Sequence, residues 1–113
     1  MPAYCTGLGK VLLAYAEPER LRTLLTAGLS RRTPRTIVAP GMFVGELERD
    51  RERGFAMERE ESTVGIACVA APVFDAAGTA VAAVSVTGRP HKVDPSRLAP
   101  AVRTAALGIG RSL

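Results

Sequence analysis

The apolar residues of this 113-residue chain keep helical spacing through its first half and strand spacing through most of its second. Leu8, Leu12 and Tyr15 recur at intervals of four and three after Thr6, a good capping residue, and predict a helix over residues 7–16. Glu17-Pro18 opens a second helix carrying Leu21, Leu24 and Leu25, with proline in its first turn and Gly28 as its stop. Thr36-Ile37-Val38 predicts a short strand. A third helix follows over residues 40–53, with Phe43 and Leu47 inward, a charged exterior and Gly54 at its end.

From Phe55 the period changes to two. Residues 55–60 alternate apolar and polar, and residues 66–74 and 79–87 are rich in valine and alanine. Asp75-Ala76-Ala77-Gly78 between the last two runs is hairpin-turn chemistry, so these strands pair antiparallel. Pro72 has no amide hydrogen for a ladder and assigns its strand to an edge or a bulge. Leu98, Val102, Ala105 and Ile109 form the inward stripe of a closing helix, whose regular part is set to begin at Pro100 because proline is tolerated near a helix start. Three strands are few for a helix-covered sheet. The expected fold class is α/β of the α+β kind, an antiparallel sheet with flanking helices and its opening strands missing.

Composition narrows the picture further. With 47% apolar and 23% charged residues the chain is an ordinary globular domain rather than a disordered one. No apolar run approaches the roughly 18 residues that cross a bilayer, and the N-terminus lacks a secretory pattern, so a soluble, cytoplasmic protein with no membrane contact is expected. The net charge of +4 raises the question of nucleic acid, but most basic residues stand beside acids, as in Glu48-Arg49-Asp50-Arg51. Arg31, Arg32 and Arg35 are the one unbalanced cluster and read as a solvated loop. Cys5 and Cys68 belong to no CxxC pair, and with His91 as the sole histidine no metal site and no cofactor are expected. Each cysteine reads as a reduced thiol.

Candidate chemistry concentrates in two places. Thr6-Gly7-Leu8-Gly9-Lys10 starts a helix whose first amides lack partners, and glycine at positions 7 and 9 keeps side chains away from them, which suits a carboxylate or phosphate. It is no P-loop, since Tyr4 stands where that loop needs glycine. Equally, Gly7 and Gly9 suit a tight entry and close helix–sheet packing. The second place is Ser85 and Thr87, small donors on one strand face, with Cys68 and Glu58 on the neighbouring strands. A loop pairing Phe74 with Thr79 sets Cys68 opposite Ser85, whereas a one-residue slip sends Cys68 to the other face, so the register stays open here. The alternative makes Ser85 and Thr87 solvent-facing and Cys68 a core filler. Catalytic readings lack support: no G-x-S-x-G elbow surrounds Ser85, His91 lies between Pro90 and Lys92 in a loop, and Glu58 and Glu60 flank Arg59 as a solvated charge run. The chain is not expected to be an enzyme.

Two stretches together resemble the IclR family of bacterial transcription regulators. One is the run from Pro2 to Ala14, PAYCTGLGKVLLA. The other is Gly54-Phe55-Ala56-Met57-Glu58-Arg59-Glu60-Glu61, followed by Gly65-Ile66-Ala67-Cys68-Val69-Ala70-Ala71-Pro72-Val73-Phe74-Asp75 and Ala83-Val84-Ser85-Val86-Thr87-Gly88. The resemblance implies a GAF- or PAS-like effector-binding domain over residues 1–113, without the winged helix-turn-helix that precedes it in the family. It also implies a small-molecule effector, a small carboxylate or an aromatic acid, held by Gly7, Leu8, Glu58, Ile66, Cys68, Ser85 and Thr87, with Cys68 and Ser85 in one pocket. A homo-dimer or tetramer is implied, with DNA bound only through the missing N-terminal domain. Leu8 stands where a smaller residue is common and Glu58 where aspartate is frequent, which reshapes the pocket. The rival expectation is a GAF- or PAS-like dimerisation module without a working ligand site.

Overall fold

A computed structural model describes residues 3–113 of the chain; Met1 and Pro2 lie outside the described residues. A single 3-10 turn at Ala3–Cys5 leads into α1 (Gly7–Ala14), α2 (Pro18–Ala27) and α3 (Pro40–Arg53) before any strand appears. Then come β1 (Ala56–Arg59), β2 (Ala67–Phe74), β3 (Ala80–Gly88) and α4 (Pro95–Arg111). The three strands form one antiparallel sheet in the order β1-β2-β3. The fold is thus the expected α+β arrangement of helices around an antiparallel sheet.

Alternation along β2 explains the layering. Cys68 and Ala70 turn to one side and pack with Val11 of α1 and with Ala56. Ala67, Val69, Ala71 and Val73 turn to the other and meet Val93 with Ala99, Val102 and Ala106 of α4. Each face of β2 therefore lies under a helix, and its sequence has no polar position to spare for solvent. Burying each valine of this core contributes roughly 1.5–3 kcal/mol. A separate cluster of Tyr4, Cys5, Leu13, Ala14, Phe43 and Leu47 joins α1 to α3, with Leu21, Leu24 and Leu25 of α2 packed against it.

Helix ends follow local chemistry. The Asp94 side chain caps α4 by accepting from the Ser96 amide, and Pro18, Pro40 and Pro95 each sit in a first turn. Gly54 ends α3 in the left-handed region at φ 81°, where a side chain would be strained.

Several expectations need correction. Residues 36–38 form no strand. The Thr36 hydroxyl oxygen instead accepts from the amides of Arg32 and Thr33 and donates to the Glu61 carbonyl, which ties the segment down as a loop. Helix α1 ends at Ala14, and Leu8 and Leu12 stay about 40% exposed, at 41% and 39%. The buried residues are Gly7, Lys10, Val11, Leu13 and Ala14, with Gly7 and Val11 against the alanine and cysteine face of β2 and Leu13 and Ala14 turned toward α3. Helix α4 begins at Pro95 rather than Pro100; Pro100 lies inside it on the solvent side, and its ring displaces one helical hydrogen bond there. Ala105 and Ile109 face outward while Ala99 and Ala106 are buried, so the inward stripe is shifted by one residue. Pro72 sits on the central strand. It is tolerated because β1 pairs with β2 only as far as Ala70, and a bulge follows between Val73 and Phe74. The charge run at the end of β1 is solvated only in part: Arg59 is exposed and Glu60 half-buried, but Glu58, like Glu61 after it, is buried.

Candidate functional site

The start of α1 is held by its own cap. The Thr6 hydroxyl accepts from the Gly9 amide at 3.0 Å, and the Thr6 carbonyl accepts from the Lys10 amide at 2.9 Å. The amides of Gly7 and Leu8, the first two of the helix, have no hydrogen-bond partner among the described residues. Gly7 lies directly on β2: a Cβ added there would stand 2.5 Å from Cys68 Sγ and 3.5 Å from Ala70 Cβ. Gly9 is tighter still, with an added Cβ 2.1 Å from the Ala3 carbonyl oxygen. Close packing is therefore the demonstrated reason for both glycines.

The observed register places Glu58, Cys68 and Thr87 in one row across the sheet, and Ala56, Ala70 and Ser85 in the next. Cys68 thus faces Thr87, not Ser85, because the turn pairs Phe74 with Ala80 and the bulge adds a further step. The total slip is two residues, which preserves the face: Cys68, Ser85 and Thr87 all lie on the α1 side. Ile66 precedes β2 at the same end, its carbonyl accepting from the Glu60 amide at 2.8 Å. Gly7, Glu58 and Cys68 are buried, Ile66 and Ser85 are half-buried, and Leu8 and Thr87 are exposed. The seven residues therefore divide into a packed floor, where helix meets sheet, and an open rim. An open groove of about 640 Å³ between Leu13 and Leu24 is lined by none of these seven residues. Neither Cys5 nor Cys68 is in a disulfide, and burial pushes the Cys5 thiol up.

What the sequence reading missed is the charged layer under this floor. Lys10 is fully buried, and its ammonium group donates to Glu61 Oε2 at 3.0 Å and to the Met57 carbonyl at 3.1 Å. It also lies 2.9 Å from Glu61 Oε1 and 3.7 Å from Glu46 Oε1. Glu58 Oε2 accepts from the Glu61 amide at 3.0 Å, so this carboxyl pins the turn after β1. Burial pushes the Glu58 carboxyl up despite that hydrogen bond, and pushes Glu61 up against the opposing pull of Lys10. Glu46 is also partly buried, but the Arg49 hydrogen bond, Lys10 and Arg53 outweigh burial and hold it below the usual carboxylate range. The signal was in the sequence: Lys10 is three residues after Gly7 and one before Val11, on the stripe that meets the sheet. No group of His, Cys, Asp and Glu able to hold a metal ion occurs among the described residues. No helix there is long and apolar enough to cross a membrane.

Comparison with known proteins agrees with this architecture. The family described as bacterial transcriptional regulator IclR, C-terminal, matches residues 1–111. The HTH-type transcriptional regulator BhcR of Paracoccus denitrificans is 40% identical over 111 residues, a match covering 97% of this chain and 39% of that protein. The chain thus spans about two-fifths of the length of this curated relative. Among solved structures, the transcriptional regulator YaiJ superposes with a TM-score of 0.92 at 32% identity, over 100% of this chain and 66% of that one. The inducer-binding domain of PobR from Acinetobacter, solved as a double mutant with 3-hydroxybenzoic acid, superposes with a TM-score of 0.90 at 30% identity, over 100% and 67%. With sequence and fold matching over nearly its whole length, the chain belongs to the IclR family, as part of the C-terminal region of such a transcriptional regulator.

Proposed function

We propose that residues 1–113 are the effector-binding part of a cytoplasmic IclR-type regulator and take a small carboxylate or aromatic acid at the rim described above. The observation that carries this reading is the pair of unpartnered amides of Gly7 and Leu8, on the same side of the sheet as the hydroxyls of Ser85 and Thr87. Helix dipole and hydroxyl donors together suit a negative group. Glu58 would oppose it as a carboxylate, but its Oε2 is engaged by the Glu61 amide, which draws its charge into the turn after β1. Ile66 and the exposed Leu8 would bound the apolar part of the ligand, over the floor made by Cys68. The binding of 3-hydroxybenzoic acid by the PobR domain supports an aromatic acid as one class of occupant.

In the parent protein, a homo-dimer or tetramer, the effector would act by its different affinity for two arrangements, typically a coupling of about 1–3 kcal/mol. DNA would be held by an N-terminal winged helix-turn-helix and not by this chain. A sequence-selective gel shift by residues 1–113 alone would contradict that division.

The direct contact of Gly7 with Cys68 favours a second reading, a dimerisation module whose ligand site no longer works. Thermal unfolding with a panel of small acids, including benzoate and 3-hydroxybenzoate, separates the two. A ligand at one hundred times its dissociation constant stabilises by about 2.7 kcal/mol, and the Ser85→Ala variant should lose most of that gain. If no acid raises the melting temperature and Ser85→Ala behaves like the parent chain, the sensor reading fails and the dimerisation module stands.

A further inference from the structure

At the opposite end of α1 lies a different kind of opening. A hollow of about 280 Å³ is bounded by Tyr15, by Arg51 and Gly54 at the end of α3, by Phe74, and by Arg103 and Leu107 of α4. Neither arginine forms an ion pair among the described residues, although Arg49 and Arg53 nearby are paired with Glu46 and Asp50. Glu52 also borders the hollow and pairs with neither of them.

Backbone and rings hold the two guanidinium groups in place. A Cβ added at Gly54 would stand 3.1 Å from Arg103 Nη2 and 3.2 Å from both Cζ and Nε, so the guanidinium lies flat over this glycine. Its N–H edge makes no hydrogen bond among the described residues. Arg51 stands 5.8 Å from the centre of the Tyr15 ring, and the Tyr15 hydroxyl donates to the Arg51 carbonyl at 3.2 Å. Tyr15 in turn meets Phe74 edge to face, with centroids 5.2 Å apart. Two preoriented cationic forks thus border an apolar wall, which is how proteins fix a planar anion with a hydrophobic body.

We propose that this hollow is a second ligand site, separate from the rim at Gly7 and Ser85. Its occupant is a small organic anion, a carboxylate or a phosphate ester. The charged end lies between Arg51 and Arg103, and the apolar part rests on Tyr15, Phe74 and Leu107. The volume is near the lower limit of ligand clefts, about 300 Å³, which restricts the occupant to a single ring or a short chain.

Benzoate and phenyl phosphate, titrated separately at low salt and followed by backbone NMR, test the site without reference to the first one. The amide signals of Gly54 and Leu107 should shift saturably with at least one probe, and the tighter probe identifies the head group. Arg103→Gln and Arg51→Gln should each weaken that response about tenfold or more, whereas Ser85→Ala should leave it unchanged. Both arginines are exposed, so the variants retain the fold, as unfolding curves can check. A merely structural Arg103, facing the carbonyl end of α3, predicts a stability loss with no change in anion binding. That result overturns the proposal, as does an unsaturable drift at Gly54 and Leu107 with both probes.

Discussion

The two helices that cover the sheet are held by different means. On one side the 17-residue α4 lays Ala99, Val102 and Ala106 over Ala67, Val69, Ala71 and Val73, an apolar contact along its middle turns. On the other, the eight residues of α1 add to the apolar packing of Val11, Leu13 and Ala14 a set of exacting contacts: Gly7 on Cys68, Gly9 on the Ala3 backbone, and Lys10 on Glu61. Apolar packing is non-directional and tolerates small changes, whereas backbone contact and buried charge do not. The close approach of α4 comes only in its last turn, where Gly110 meets the Phe74 carbonyl.

The sharpest way to break this contrast is a single methyl group at Gly9. In Gly9→Ala the new Cβ would fall 2.1 Å from the Ala3 oxygen and 2.4 Å from its Cα, both main-chain atoms that have no rotamer to yield. A loss above about 4 kcal/mol is expected, and thermal unfolding should show no cooperative transition. A normal unfolding curve would mean that the entry to α1 is adaptable after all.

Removing the buried cation comes next. Lys10→Met leaves Glu61 buried without its partner and should cost about 3–5 kcal/mol in denaturant unfolding. The double variant Lys10→Met/Glu61→Leu, with neither charge present, should recover most of that loss. A single-variant cost under about 1 kcal/mol would mean that this ion pair does not anchor α1.

Asp50 on α3 gives a pH-resolved version of the same question. It is fully buried, and burial pushes its carboxyl up from 3.8 to about 6 against the hydrogen bond from Arg53. The folded state then binds a proton more tightly than the unfolded chain. The contribution of this group to stability is complete below about pH 4, falls as pH rises to 6, and is level above. Asparagine does not titrate, so the stability difference between Asp50→Asn and the parent should move in favour of the variant by a few kcal/mol between pH 4 and 7. A pH-independent difference would show that Arg53 fully offsets the burial.

Much of the fold could be read from the chain because its punctuation is local. Pro18, Pro40, Gly28 and Gly54 bound α2 and α3 where expected, since a missing amide or a left-handed residue acts without reference to the rest of the molecule. The inward face of α1 was misread for a tertiary reason. Leu8 and Leu12 have the right spacing, yet Gly7 and Val11 are the residues that meet Cys68 and Ala70 of β2, and their close approach turns Leu8 and Leu12 outward. In the candidate site, alternation correctly grouped Ser85 and Thr87 on one face, while the face of Cys68 stayed open until the register was seen. The pairing partner of Cys68 depended on a bulge at Val73 and Phe74, which Pro72 announces as one of two options without fixing its position or the register it leaves. Lys10 was overlooked because a lysine among apolar residues is normally solvated, and Glu61, which neutralises it, is remote in sequence.

The smallest effect expected is also the closest control. Gly108 lies on the outer side of α4, and a Cβ added there meets nothing within 4 Å. Alanine in a helix interior is favoured over glycine by roughly 0.5–1 kcal/mol, because the unfolded glycine chain has more freedom to lose. Gly108→Ala should therefore raise the unfolding midpoint by that amount with an unchanged denaturant slope. The same methyl group is destructive in α1 and helpful in α4, so the pair of variants isolates how each helix is seated from any general intolerance of the chain. If Gly108→Ala were destabilising, the outer surface of α4 would be engaged with something, and the distinction between an exacting helix and a tolerant one would not hold.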